Sequence, residues 1–361
     1  MATLALRWSW LGFDKASPFT IGYLFITLNF FVDLNTPEIQ RLVLSIGSCC
    51  ALAYKDRFGI IPGGIVVPGF LLILLLLSPL WAMAVVLLSF VIYFIYRNWL
   101  DRVDYKRRTQ MYILATLSVL LSYPVALAYI AAGILPTSID SLSGTLLPGV
   151  IALNLNRQGV TPVGRGIVIT TLVTACLAAI ILIIGATVFR LDFDTLRPFY
   201  TSYSLVRFHG RVLLFLISLV VGFLIYQHTN FRAGGYMVAP IAAALLLQPL
   251  SALMFGIGCI LVYILIVQLA RCSLIIGLKR YVLALLYSMA YVWGVEIAFI
   301  HFGLTSLPFQ GNHLFVIIAM MSYANDCILY GARRVLPWMI LLLLIVVVAL
   351  LITRGIVASW A

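Results

Sequence analysis

The sequence predicts an all-α, polytopic membrane helix bundle. Three observations carry this. First, hydrophobic residues make up 64% of the 361 positions, charged residues only 9%, and the mean hydropathy is +1.14. A soluble domain averages about 25% charged residues. Second, apolar runs of about 20 residues, long enough to cross a bilayer as helices, recur along the whole chain. Third, Lys and Arg concentrate in alternate connections between those runs, as the positive-inside rule requires. The net charge of +12 is therefore read as topology, with no nucleic-acid partner.

About thirteen hydrophobic segments can be delimited. They lie near 18–33, 38–54, 59–78, 80–97, 109–133, 143–156, 163–189, 211–227, 232–248, 250–269, 281–303, 313–325 and 335–353. The stretch before the first lacks a small-residue cleavage site and is not read as a signal peptide. Lys55 and Arg57, Arg97 to Arg108, Arg157 and Arg165, Arg232, Arg271 to Arg280, and Arg333 with Arg334 follow the even-numbered segments. These connections and the N-terminus are placed on the cytoplasmic side of the membrane. Residues 190–210 disagree, with three arginines on the outer side; they read as an interfacial linker, or else one short segment is re-entrant and shifts the count.

Residues 38–189 align with 211–353 at an offset of about 172. Gly63 falls on Gly235, Pro68 on Pro240, and Arg107-Arg108 on Lys279-Arg280. The domain reading follows: 1–37 as an N-terminal region with one extra helix, 38–189 as a first repeat, 190–210 as a linker, and 211–361 as a diverged second repeat. Inside the first repeat, Val66 to Phe70 (VVPGF) matches Leu146 to Val150 (LLPGV), each in the middle of three segments. This predicts nested three-plus-three inverted repeats. In the second repeat Val316 is set against Pro148, and Asn325-Asp326 against Arg157-Gln158. On that alignment the first repeat keeps the active geometry and the second completes the scaffold.

Proline within a helix removes a hydrogen bond, and glycine loosens it further. The segments with Pro62, Gly63, Gly64, Pro68 and Gly69, and with Gly144, Pro148 and Gly149, are expected to be discontinuous and packed inside the bundle. Such breaks point to a midplane substrate path, or they serve packing alone. Lys55, Asp56 and Arg57 flank the first broken segment, and Asn154, Arg157 and Gln158 end the other, as a candidate cytoplasmic entrance. The basic run with Arg102, Lys106, Arg107 and Arg108 suits an acidic partner or anionic lipid, or acts as a topology determinant. Glu296, in an apolar helix, is a candidate ionisable membrane site.

The six cysteines and four histidines show no metal-ligand spacing, and no metal or cofactor is expected. No phosphate-binding loop or nucleophile motif is present, so no catalytic residue is assigned.

The turn Lys55-Asp56-Arg57 before FGIIPGGIVVPGF, the basic Tyr105 to Arg108, and LLPGVIALNLNRQG from Leu146 to Gly159 resemble the PgsC/CapC membrane subunit of bacterial poly-gamma-glutamate synthase. The resemblance covers residues 38 to about 185. Members of that family are usually about half this length, so the chain reads as a tandem-duplicated version. The resemblance implies a membrane subunit for making or exporting a capsule polymer. Its implied partners are a cytoplasmic ATP-dependent amide ligase, other capsule-synthase membrane subunits and the polyanionic polymer. A stand-alone secondary transporter for a small carboxylate, with Glu296 as coupling group, is the alternative; a membrane-embedded acyl- or glycan-modifying enzyme is a third.

Overall fold

The computed structural model describes residues 36–100, 107–133, 140–188, 208–232, 237–272, 277–304, 307–309 and 313–359. Twelve helices occupy these residues, and no strand occurs among them. The first six are α1 (Pro37–Phe58), α2 (Val67–Leu77), α3 (Pro79–Ile95, extended by a π turn over Tyr96–Leu100), α4 (Arg107–Ala131), α5 (Asp140–Gln158) and α6 (Val160–Thr187). The next six are α7 (Phe208–Thr229), α8 (Val238–Leu245), α9 (Pro249–Cys272), α10 (Leu278–His301), α11 (His313–Tyr330) and α12 (Ala332–Ser359). The expected extra helix near 18–33 lies outside the described residues, as does nearly all of the 190–210 linker.

Eight of the helices are long and apolar enough to cross a membrane. α1 and α5 are long but more polar, and α2 and α8 are short. At about 1.5 Å per residue, α2 (11 residues) and α8 (8 residues) reach about 12–16 Å, half a bilayer core. The lipid-facing sides are apolar: Ile169, Leu172 and Ile180 on α6 and Leu344, Val348 and Leu351 on α12 are exposed. α11 is enclosed along most of its length, packed against α8, α9, α10 and α12.

Local sequence explains the breaks. Gly59 ends α1 in the left-handed region (φ 71°) and donates its N–H to Lys55 O. Asn230 ends α7 the same way (φ 60°), a conformation that asparagine tolerates better than most residues. Gly63 and Gly64 both have positive φ (67° and 144°), which fits glycine. They turn the chain into α2, where Pro68 takes a first-turn position that needs no N–H partner. Ser78 then stops α2 and caps α3 by accepting from the Trp81 N–H at 3.4 Å.

The segment at 143–156 is not discontinuous, contrary to expectation. α5 runs unbroken through Pro148. The reason is the Ser118 hydroxyl of α4. It donates to Thr145 O (2.7 Å) and accepts from the Gly149 N–H (2.9 Å). It thus bridges the ladder one step beyond the proline, where freed backbone groups need partners. Ser118→Ala leaves a buried carbonyl and N–H short of a partner. It is expected to cost about 1–3 kcal/mol, read as a lowered unfolding midpoint of the purified chain in detergent.

The repeat symmetry shows in the packing. α2 packs on α6 and α5 on α3; correspondingly, α8 packs on α12 and α11 on α9. Within the first repeat, Gly69 lies on the α1 backbone and Gly149 on the α4 backbone, a pairing that fits an inverted three-plus-three relation. The two sixes meet along two equivalent seams, α4 with α7 and α1 with α10. In the first seam Tyr112 stacks on Tyr226 (5.8 Å); in the second the Ser45 hydroxyl touches Met289 Sδ at 2.6 Å.

The structure also corrects the register of the second repeat. Gly159 (φ 91°) separates α5 from α6, and Gly331 (φ 86°) separates α11 from α12. Pro148 therefore corresponds to Met320, not Val316, and Asn154 corresponds to Asp326. The sequence-only alignment slipped because α11 lacks both proline and glycine over its middle.

Candidate functional site

Between the two seams lies a cavity of about 210 Å³. Both repeats build its wall. Ile65 and Val66, at the N-terminal end of half-helix α2, face Met237 at the N-terminal end of half-helix α8. Helix N-termini carry partial positive charge. Leu147, Gly149 and Val150 of α5 and Phe315, Ile318 and Met321 of α11 also line it. The wall is mainly apolar, with Arg232, Asp326, Tyr281 and Ser322 as its polar members.

Those polar groups all belong to the second repeat. Arg232 follows α7 in the break before α8, and one guanidinium nitrogen pairs with Asp326 Oδ1 at 2.9 Å. Another lies 4.0 Å from Met111 Sδ of α4, so this side chain reaches across to the first repeat. Arg280, in the first turn of α10, donates to Asn325 Oδ1 at 3.1 Å. The Tyr281 and Ser322 hydroxyls stand 3.5 Å apart. The charged groups on the cavity wall thus come from the second repeat, whereas the sequence alignment points to the first for the active geometry. Sequence reasoning treated Arg232 as a topology residue; the signal it held was an arginine inside a Gly-rich break equivalent to the first.

In the first repeat the counterpart of Asp326 is the neutral Asn154. Asn154 Nδ2 donates to Gly63 O (2.7 Å), and Gln158 accepts from the Ile61 N–H (2.8 Å) through its side-chain oxygen. Gln158 Nε2 also donates to Asn154 Oδ1 at 3.1 Å. Asn154, Gln158, Pro62, Gly63 and Gly64 are therefore brought together, as a locked turn beside the cavity. Of the predicted Pro-Gly pair residues, Gly149 lies on the cavity wall. Pro68 and Gly69 pack against α1. Arg157 is exposed at the end of α5.

Lys55, Asp56 and Arg57 end α1 on the face where α5 ends and α10 begins. Lys279 Nζ lies 3.1 Å from Asp56 Oδ2, a partly exposed pair joining the two repeats there. Arg97 bonds the Tyr93 hydroxyl and lies over its ring. Arg102 and Lys106 lie outside the described residues, as do the side chains of Arg107 and Arg108.

Glu296 sits near the opposite end of the bundle. Its Oε2 is 2.6 Å from Arg41 of α1, and both side chains are fully buried. Along α10, Glu296 is sixteen residues past Arg280, about 24 Å. The two ionic sites thus occupy opposite ends of the inter-repeat space.

This architecture defines a duplicated membrane bundle with half-helices at the centre of each copy and a cavity at their junction. The comparisons with known proteins name the class. The family model "Capsule biosynthesis CapC" matches residues 46–164 and again 217–326, together more than half of the chain. The chain belongs to the CapC family of capsule biosynthesis proteins, in a tandem-duplicated form. It is similar to the "PGA biosynthesis protein CapC" of Bacillus subtilis (strain 168), at 32% identity over 124 residues, covering 33% of this chain and 80% of that protein. No solved structure matches.

Proposed function

We propose that the chain is the integral membrane subunit of a complex that makes and exports a poly-gamma-glutamate capsule polymer, with the inter-repeat cavity as part of the polymer path. The observation that carries the reading is the cavity itself. It is built by both copies, both half-helix N-termini reach it, and Arg232 stands on its wall. Those features favour an anion. Membership in the CapC family and the similarity to a PGA biosynthesis protein supply the polymer class. The basic end faces the cytoplasm in this reading. There the run from Arg97 to Arg108 docks an ATP-dependent amide ligase.

The test has two parts. Deleting the gene is expected to abolish secreted polymer, and the tagged chain is expected to copurify with a ligase. Intact polymer and no ligase would refute the reading. Val66→Trp, a bulky change on the cavity wall, is expected to lower polymer release while leaving ligase copurification unchanged; normal release would remove the cavity from the path. A stand-alone carrier of a small carboxylate uses comparable nested repeats. Gradient-driven uptake by the purified chain alone in vesicles would favour it.

A further inference from the structure

Charge balance on the cavity wall is uneven. Arg232 pairs directly with Asp326, and Arg280 is held against the adjacent Asn325 and lies close enough to Asp326 to feel its charge. Two guanidiniums thus share one carboxylate at the edge of an otherwise apolar space. A buried cation is stable only when paired, and Asp326, with 2% of its side chain exposed, is the anion the protein itself provides. The pair is not sealed. Arg232 keeps 20% of its side chain accessible, and both residues line the cavity with the Tyr281 and Ser322 hydroxyls. In the first repeat, Asn154 occupies the position of Asp326 and binds backbone instead. The fold therefore does not require a charge there.

We propose that Arg232, backed by Arg280, is a carboxylate-binding site, and that Asp326 is its resident counter-ion, displaced when a substrate carboxylate enters the cavity. Arginine suits this role because its planar fork accepts a carboxylate in two parallel hydrogen bonds. Asp326 keeps the guanidinium neutralised in the empty cavity and sets a threshold that a ligand must overcome. Each glutamate of a gamma-linked chain carries one free carboxylate. A single exchangeable site then holds the chain one residue at a time, without the tight grip of several cations. This inference rests on the poly-gamma-glutamate reading for its ligand class.

The experiment measures binding to the full chain in lipid nanodiscs by calorimetry, using free glutamate, a gamma-linked glutamate oligomer and inorganic phosphate. The oligomer is expected to bind more tightly than free glutamate, and phosphate more weakly than either. Asp326→Asn is expected to tighten oligomer binding by about tenfold or more, within the usual range of coupling between competing sites. Arg232→Gln is expected to weaken it by a similar factor. Because Arg232→Gln removes the direct ion-pair partner of Asp326, the double variant Arg232→Gln/Asp326→Asn replaces the pair with two neutral amides, and it is also expected to lose binding. Unchanged or weaker binding in Asp326→Asn, or wild-type binding in the double variant, would overturn the site. Equal binding of phosphate would overturn its carboxylate assignment. Polymer secretion is scored separately in cells. Loss of secretion on gene deletion together with unaltered binding in the variants would sink this site and leave the functional reading standing.

Discussion

Glu296→Gln is expected to destabilise the chain by about 3–5 kcal/mol, the usual cost of removing one partner from a buried ion pair. Arg41 and Glu296 are both fully buried, 2.6 Å apart, on the seam where α1 of the first repeat meets α10 of the second. The glutamine takes away a carboxylate that lies 2.6 Å from the buried guanidinium, in a low-dielectric site where lost charge compensation is costly. Replacing both partners with apolar residues, Arg41→Met/Glu296→Met, is expected to recover most of the loss, because the desolvation cost of both charges disappears together. Unfolding of the two single variants and the double in detergent forms the cycle that measures the coupling. The result separates two roles for Glu296. A proton- or ion-coupling carboxylate tolerates glutamine structurally and loses gradient-driven transport. A structural partner of Arg41 loses stability and is rescued by the apolar double. The geometry favours the second. An unfolding midpoint for Glu296→Gln equal to the parent would return Glu296 to the list of coupling groups.

The parts of this fold that local chemistry dictates were readable from the sequence. Pro62-Gly63-Gly64 and Pro68-Gly69 predict a chain that stops, turns and restarts as a short helix, and α2 does so. The duplication is visible because glycine, proline and paired basic residues recur at a fixed spacing, and the family model matches twice. Long-range polar chemistry was not readable. Ser118 restores continuity to α5 from a different helix, and no local pattern marks it. Arg41 and Glu296 are separated by most of the chain. Glu296 stood out as a carboxylate in an apolar run, whereas Arg41, near the polar start of α1, did not. Asp326 was assigned the wrong counterpart because the register of α11 was taken from residue types, when the positive-φ glycines at 159 and 331 set it. With that register, Asn154 and Asp326 become one position with two chemistries. In the first copy an amide holds the break shut against Gly63; in the second a carboxylate holds an arginine. Divergence of the copies placed the neutral lock on one side of the cavity and the charge on the other.

Gly69→Val and Gly149→Val are each expected to cost about 1–3 kcal/mol or more by overpacking, and together to prevent assembly of the first repeat. A side-chain carbon added at Gly69 would sit 2.8 Å from Leu44 Cα and 3.1 Å from Val43 O; at Gly149 it would sit 2.6 Å from Leu114 O. These contacts are with backbone, which cannot swing aside as a flexible side chain can. Gly47 completes the first crossing: a carbon there would run into the Gly69 backbone N. Close glycine-mediated approach is how membrane helices gain packing without a hydrophobic drive between them. Gly149 is doubly constrained, since its N–H also serves the Ser118 bridge. Gly294 of α10 is the matched control. It has nothing within 4 Å of the added carbon, so Gly294→Ala is expected to be neutral, or stabilising by up to about 1 kcal/mol through helix propensity. Unfolding midpoints and elution profiles of the four variants, the double included, check the series. A well-folded double variant would mean that the α1–α2 and α4–α5 crossings are looser than the geometry requires. A folded double with blocked polymer release would instead put the Pro-Gly pairs in the path. The expected loss of fold places the test of the path on cavity-wall residues such as Val66, where added bulk enters open space and leaves the helix crossings intact.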